Sequence, residues 1–310
     1  MKQNRVDVFG IGCVVLDQLA LLTHFPHPDE KLEMVDHLEQ VGGPVPTALR
    51  QMARLGLTTA FSGLIGDDRS GSIIRDGLKA SGVDVELLQT LPGCCSGFAL
   101  AWSSLERGER AVAAHNRSLP ALASDVLPEN RFPDCRLFHI DGQEHRTIAD
   151  IVLKMKDRES QISIDTGSFR ESTLDLLPLM DYIIMPGLFP QIWLGNSCPD
   201  TLEETSSLVA DRYPQAELVV LTDGASGSAA CARGRIIRQQ AFSVTTVDTT
   251  GAGDIHCGAL LARILCGDSF EEALRYAAAC AAIKASRLGN GRLAEDTEVR
   301  AFLSDRAISL

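Results

Sequence analysis

The stretch TVDTTGAGDIHCGALLARIL, Thr246–Leu265, decides how this chain is read. Gly251, Ala252 and Gly253 carry almost no side chain, so a turn built from them can present consecutive backbone N–H groups outward. The apolar segment behind them reads as a helix, whose N-terminal end adds partial positive charge. Together they suit an anion such as a phosphate that gains charge during transfer. Asp254 falls in the first turn of that helix. There it is either a favourable helix-end charge, contributing about 0.3–1 kcal/mol, or a base placed to take a proton beside the anion. The segment alone leaves both open.

Two familiar phosphate loops are excluded. A Walker loop needs Gly-Lys-Ser/Thr after its glycines, and none follows here. The first strand ends in GIGCVV, but Gly10 and Gly12 lack a third glycine, and Asp17 comes too early to be a dinucleotide ribose ligand.

Outward from the signature, short apolar runs alternate with amphipathic helices. VDVFGIG, TAFSGLIG, RLFHIDG, QISIDTG, DYIIMP and ELVVLTDG read as strands, and the last is expected to close the series of buried strands. Between them, TALRQMARLGL, SGSIIRDGLKASGVD, HRTIADIVLKMKDRE, ESTLDLLPLM and a segment around Thr201–Arg212 read as helices, two of them stopped at Gly56 and Gly82. Asp67 and Asp68 are expected to shape a turn and cap the helix after Ser70. This alternation predicts an α/β fold, a three-layer α/β/α sandwich on a mostly parallel central sheet. Residues 19–41 and 93–117 break the rhythm and read as short antiparallel pieces, the second a hairpin around LERGE. The C-terminal part is helical, one helix running from Ile255 to Leu265 and the next opened by a Ser269–Glu272 capping box.

The 310 residues, 45% hydrophobic and 23% charged, suit one large soluble domain, and no linker, repeat or low-complexity tract divides it. No apolar run reaches about 18 residues, so no membrane partner is expected, and the N-terminus reads as a first strand rather than a signal peptide. A net charge of −12 argues against nucleic acid, which is bound by clustered Lys and Arg. The nine cysteines include no Cys-x-x-Cys pair, so reduced thiols in a cytoplasm are expected.

VGGPVPTALRQMARLG (41–56), the early Asp17, GLIGDDRSG (63–71), LTDGASG (221–227) and DTTGAGD (248–254), in that order, resemble the ribokinase-like carbohydrate kinases, the phosphofructokinase B family. The resemblance spans nearly the whole chain. It implies that 1–310 form a single ribokinase-like domain with a β-sheet lid from about 14–41 and 93–117, closing over a small-molecule sugar and pairing two copies as a homodimer. It further implies ATP and Mg2+ as cofactors, Asp254 as general base, and the backbone of Gly251, Ala252 and Gly253 as the anion hole. Asp17, Gly42 and Gly43 fall where the family holds its sugar. Thr222, Gly224 and Gly227 match its nucleotide-binding turn. Asp248 and Thr250 fall where relatives place a monovalent cation, with potassium an optional activator.

The chain departs from the pattern twice. Thr47 stands where many relatives have a sugar-binding Asn, and Pro186-Gly187-Leu188-Phe189 replaces the Asn-x-x-Glu associated with magnesium. GCVVLDQLALLTHFPHPDEK (12–31) and HNRSLP (115–120) resemble ketohexokinases, whereas GGPVPT and Lys31 resemble the sulfofructose kinase branch. Both point to a ketose or ketose derivative. Lys31, Arg110 and Arg117 are the cations an anionic sugar would use, each otherwise a solvated surface charge, while Gln143 favours a neutral sugar. Phe98 and Trp102 keep a nucleoside acceptor open, a sugar phosphate is a further option, and the missing Asn-x-x-Glu motivates a catalytically silent sugar sensor. His256 is expected to be a helix residue near the site, Cys257 to pack behind it, and His24, His27 and His115 to be solvated.

Overall fold

A computed structural model describes residues 5–106, 108–115, 119–120, 131–143 and 145–307. Arg117 lies outside the described residues, as do parts of the HNRSLP and 93–117 segments. In chain order the elements are β1 (Arg5–Ile11), β2 (Val15–Leu22), β3 (Asp36–Gly42), α1 (Pro44–Arg54), β4 (Thr59–Gly66), α2 (Arg69–Ala80), β5 (Val83–Asp84), β6 (Leu88–Leu91), β7 (Gly97–Ser104) and β8 (Arg110–His115). There follow β9 (Asp134–Ile140), α3 (His145–Asp157), β10 (Gln161–Asp165), β11 (Tyr182–Pro186), α4 (Leu188–Leu194), α5 (Leu202–Arg212), β12 (Leu218–Thr222), β13 (Ser228–Ala232), β14 (Arg235–Gln239), α6 (Ala252–Leu265), α7 (Phe270–Ala285) and α8 (Asp296–Ala307).

The large sheet has the order β14-β13-β12-β11-β10-β9-β1-β4-β5, with β6 also beside β4. From β12 to β5 neighbours are parallel, and β13 and β14 add an antiparallel edge. Successive strand residues point to opposite faces. Val8, Leu137 and Ile184 pack with α1, α2, α6 and α7 through Leu49, Ile74, Leu260 and Leu274. Their neighbours Phe9, Phe138 and Ile183 pack with α3, α4 and α5 through Val152, Phe189 and Val209. Strands buried on both faces are what near-continuous apolar runs require.

Three local readings are corrected. ESTLDLLPLM forms two short 3-10 turns, Glu171–Asp175 and Leu177–Leu179, because Pro178 lacks the N–H a continuous helix needs. The buried strands do not end at β12: β13, Ser-Ala-Ala-Cys-Ala, is buried at all five positions. Its small side chains gave no apolar run to read. The signature helix starts at Ala252, three residues before the expected Ile255. The punctuation elsewhere holds: Asp68 caps α2 by accepting from the Gly71 amide at 2.8 Å, and Ser269 and Glu272 close the capping box of α7.

The two irregular segments form a separate sheet of order β3-β2-β7-β8. Its central pair, β2 and β7, is parallel, while the outer pairs are antiparallel. The register sorts its faces. Ser103 donates to Asp248 at 2.8 Å, so Ser103, with Ala101 and Ala99, faces the large sheet. Asp17 is paired with Ala99 and Gln40, and Arg110 with Ser103, so they share that face. Phe98, Leu100 and Trp102 alternate with these positions and face the other way.

Candidate active site

The carboxyl ends of the parallel strands lie along one edge of the large sheet, where open α/β sheets bind ligands. Asp141 follows β9, Asp165 ends β10, Pro186 ends β11 and Thr222 ends β12. The small sheet meets this edge through the hydrogen bond from Ser103 to Asp248.

Gly42 and Asp17 are built against each other. A Cβ on Gly42 would lie 2.2 Å from Asp17 Oδ2, so only glycine lets the carboxylate settle there. Gly43 opens α1 at φ 104°, and a Cβ on it would lie 2.3 Å from the Cys13 carbonyl oxygen. Burial, aided by the negative charges of Asp254 and Asp248, raises the Asp17 carboxyl to about 6. Gln40, its partner across the β2–β3 pair, turns its amide to the Asp17 carboxylate, and the buried Thr47 Oγ1, on the side of the Gly251 turn, has no partner among the described residues. An unpaired buried hydroxyl costs stability, so its presence beside the turn points to a ligand that bonds it.

Gly251 caps α6 in the left-handed region, φ 77° and ψ 3°, which turns the chain into the helix. A Cβ there would lie 3.7 Å from Thr47 Cγ2 and 3.8 Å from Asp254 Oδ2, so the turn, Thr47 and Asp254 are neighbours. Of the three expected amides, that of Ala252 donates internally to the Thr249 carbonyl at 3.1 Å. Those of Gly251 and Gly253 have no acceptor among the described residues, and a Cβ on Gly253 would meet nothing within 4 Å. The anion cradle is therefore open at Gly251 and Gly253, with Ala252 spent on the turn itself.

Asp254 is half-buried, accepts no hydrogen bond among the described residues, and is pushed above the ordinary carboxylate range by burial, with Arg110 opposing. Asp165 ends β10 almost wholly enclosed, and burial together with the Asp254 charge raises it to about 7. Asp141 is held on the β1 end, its Oδ2 accepting from the Cys13 amide at 2.8 Å and its Oδ1 from the Gln143 amide at 3.0 Å. Arg110 reaches in from the small sheet and donates to the Thr249 carbonyl at 3.1 Å, so it is not merely a solvated surface charge. His256 is buried with both ring nitrogens unpartnered, and burial lowers it to about 4. A neutral imidazole held that way is a helix residue, not a second base. Cys257 is fully buried and its thiol is driven well above its ordinary value.

A pH-dependent stability follows from Asp165. Its folded value of about 7 lies above the ordinary 3.8, so its share of stability is complete below 3.8 and lost as pH rises through 7. The Asp165→Asn protein is expected to melt a few degrees above wild type at pH 8 and at the same temperature at pH 4, measured by thermal unfolding without ligands.

Other expected site residues fall differently. Asp248 is not free for a metal. Its Oδ1 accepts from Ser103 Oγ at 2.8 Å and the Thr250 amide at 2.9 Å. Its Oδ2 accepts from Lys284 Nζ at 2.6 Å and the Gly289 amide at 2.9 Å. A carboxylate offers about four lone-pair sites, and all are used. Thr222, Gly224 and Gly227 form an exposed turn between β12 and β13, with Gly224 at φ 47° and Gly227 at φ 87°. It lies on the same edge four strands from β1, roughly 19 Å at the usual strand spacing. Lys31 is exposed on the connection between β2 and β3, at the end of that hairpin opposite Gly42. His24 and His27 are on that connection too, His24 paired with Glu30 at 2.9 Å. At the β11 end, Leu188 is exposed and Phe189 buried, and neither supplies an oxygen donor.

Sequence reading missed Asp141, Asp165, Gln40 and Lys284. The first two had a signal: each follows a buried apolar run and stands just before or near a glycine, at a strand's carboxyl end. Gln40 and Lys284 had none, since each meets the site only through a partner distant in the chain.

The profile of the pfkB family carbohydrate kinases matches residues 5–297. The ATP-dependent ribose-1-phosphate kinase of Halopiger xanaduensis is 24% identical over 307 residues, covering 97% of this chain and 99% of that protein. The ribokinase of Bacillus subtilis is 27% identical over 308 residues, covering 96% and 99%. A candidate ribokinase II of E. coli, solved with ATP and Mg2+, superposes with a TM-score of 0.82 at 23% identity, covering 96% of this chain and 99% of its own. No helix among the described residues is long and apolar enough to cross a membrane. With the ribokinase-like sheet, the second small sheet and the DTTGAGD turn in their places, the chain belongs to the pfkB family of carbohydrate kinases, sugar kinases that transfer a phosphoryl group to an alcohol.

Proposed function

We propose that this protein transfers the γ-phosphoryl group of ATP to a primary hydroxyl of a ketose or ketose derivative, with Asp254 as general base. The observation that carries the reading is the half-buried Asp254 carboxylate, unbonded and next to the open amides of Gly251 and Gly253, with Asp17 facing it from the small sheet. The sugar lies between Asp17, Gly42, Gly43 and Thr47, its hydroxyls meeting the Asp17 carboxylate and the unpartnered Thr47 hydroxyl. The acceptor oxygen forms its bond to the γ-phosphorus as the bond to the β–γ bridging oxygen breaks. ADP leaves with that electron pair, and Asp254 takes the hydroxyl proton. The N–H groups of Gly251 and Gly253 and the positive end of α6 meet the charge on the transferring group.

In this reading ATP lies along the strand edge, from the Thr222–Gly227 turn to the signature turn. Mg2+ neutralises the phosphate charge when bound. Pro186–Phe189 offer it no oxygen side chain, so the nucleotide's own oxygens would have to supply most of its ligands. The small sheet acts as a lid that excludes water, Ser103 and Arg110 tying it to the signature loop. Its outer face, with Phe98, Leu100 and Trp102, supplies a homodimer contact. Since those rings face away from Asp17, they do not favour a nucleoside acceptor. A cytoplasmic enzyme fits the reduced thiols.

A second reading, a sugar phosphate acceptor, is favoured by Arg110, a cation at the sugar's side of the signature loop. An ADP-release assay with Mg-ATP separates the two. Its panel holds fructose, tagatose, psicose, ribose, sulfofructose, fructose 6-phosphate and ribose 1-phosphate. The first reading expects the highest kcat/KM with a neutral ketose. The second expects it with a phosphorylated sugar, lost in Arg110→Gln. Nucleotide binding without turnover on any sugar would leave the silent sensor.

A further inference from the structure

The position where the family resemblance places a monovalent cation is filled by this chain itself. Lys284, the penultimate residue of α7, sends its ammonium into the protein with its side chain 3% exposed, against an Asp248 side chain 0% exposed. Its Nζ donates to Asp248 Oδ2 at 2.6 Å, to the Asp248 carbonyl at 2.7 Å and to the Arg287 carbonyl at 3.4 Å. Three N–H donors meet three oxygens, a carboxylate and two carbonyls, which is the donor set a potassium ion would take. An ammonium and a potassium ion share charge and are close in size, so the two are competitors for one position. The rest of the Asp248 carboxylate is used too, Oδ1 by Ser103 and Thr250 and Oδ2 also by Gly289. The C-terminal end of α7 adds to the site: the Ala285 carbonyl accepts from the amides of Val247 and Asp248 at 2.8 and 3.2 Å, and a helix C-terminus favours a cation.

We propose that Lys284 is a built-in monovalent cation, holding Asp248 and the Thr249–Gly253 turn in place, so that this kinase works without potassium. The inference rests on the kinase reading only for its activity arm. Lys284 acts through Asp248, whose Oδ1 fixes the Thr250 amide one residue before the open amide of Gly251. It is therefore a positioning residue. A tethered ammonium cannot dissociate, so the turn stays ordered whatever the surrounding salt.

The test compares potassium, sodium and tetramethylammonium chlorides at equal ionic strength, on wild type and on Lys284→Ala. Alanine opens the lysine's space without harming an Ala-rich helix. Wild-type kcat is expected to agree within about twofold across the salts, and its melting temperature to be the same in potassium and sodium. For Lys284→Ala, potassium is expected to restore activity by about tenfold or more over sodium and to raise the melting temperature by several degrees, as a ligand bound only to the folded state does. Recovery of folding in potassium alone has the same meaning. Potassium activation of the wild type by about tenfold, or a potassium-specific rise in its melting temperature, overturns the proposal. So does a folded Lys284→Ala protein indifferent to potassium in both readouts. The melting arm needs no sugar and no turnover, so it answers even where the kinase assignment fails.

Discussion

Asp254→Asn is expected to lose about 10²–10⁴-fold in kcat, the scale of a positioned general base, while keeping its fold and its affinity for ATP. The fold should survive because the Asp254 carboxylate accepts no hydrogen bond and makes no ion pair among the described residues. Replacing it breaks no hydrogen bond and relieves a charge that burial disfavours, at the cost of its attraction to Arg110. Asparagine keeps the shape but removes the negative charge and the oxygen that takes the proton, putting an NH2 donor in its place. The wild-type acid limb of kcat/KM should lie above the ordinary carboxylate range, since activity needs the ionised form and burial raises the pH at which it appears. Steady-state kinetics with saturating Mg-ATP, alongside thermal unfolding, checks both halves. A variant turning over like wild type would remove Asp254 from the chemistry, and a collapsed melting temperature would show a structural role instead.

The second large effect is expected at Asp17. Asp17→Asn should lower kcat/KM for the sugar by roughly 10²–10³-fold, mainly through KM, because hydrogen bonds to a charged acceptor contribute about 1.5–3 kcal/mol each. Gly42 gives the carboxylate its room, and an asparagine seated there keeps one acceptor oxygen but loses the charge and the second acceptor. The pH dependence distinguishes this from a packing defect. With the Asp17 carboxyl raised to about 6, protonation below that pH removes the charged acceptor, so the wild-type KM should rise as pH falls through 6. In Asp17→Asn that inflection should vanish. A KM within about threefold of wild type, with the inflection intact, would place the sugar elsewhere.

Much of this was legible in the chain. The alternation of buried strands and amphipathic helices is a local property, set by which side chains recur at two or at 3.6 residues. Turns announce themselves through glycine and proline, so Gly56, Gly82 and the Ser269–Glu272 box were readable. The edge strands β13 and β14 were not, since Ser-Ala-Ala-Cys-Ala is strand only because β12 offers it a partner. Pro178 likewise marked a helix that does not continue.

For the site, the sequence by itself determined the Gly251–Gly253 turn and Asp254 behind it, because these are contiguous, while the glycines beside Asp17 were expected only through the family resemblance. Tertiary structure alone decided which charges meet. Asp165 is shifted by Asp254, 89 residues further on (254 minus 165). Arg110 is turned to the signature loop by its pairing with Ser103, and Asp248 is claimed by Lys284 rather than left for an ion. Electrostatic interactions depend on distance through space and on the water excluded between the charges. Neither is written in the order of residues until the sheet has brought its strand ends to one edge.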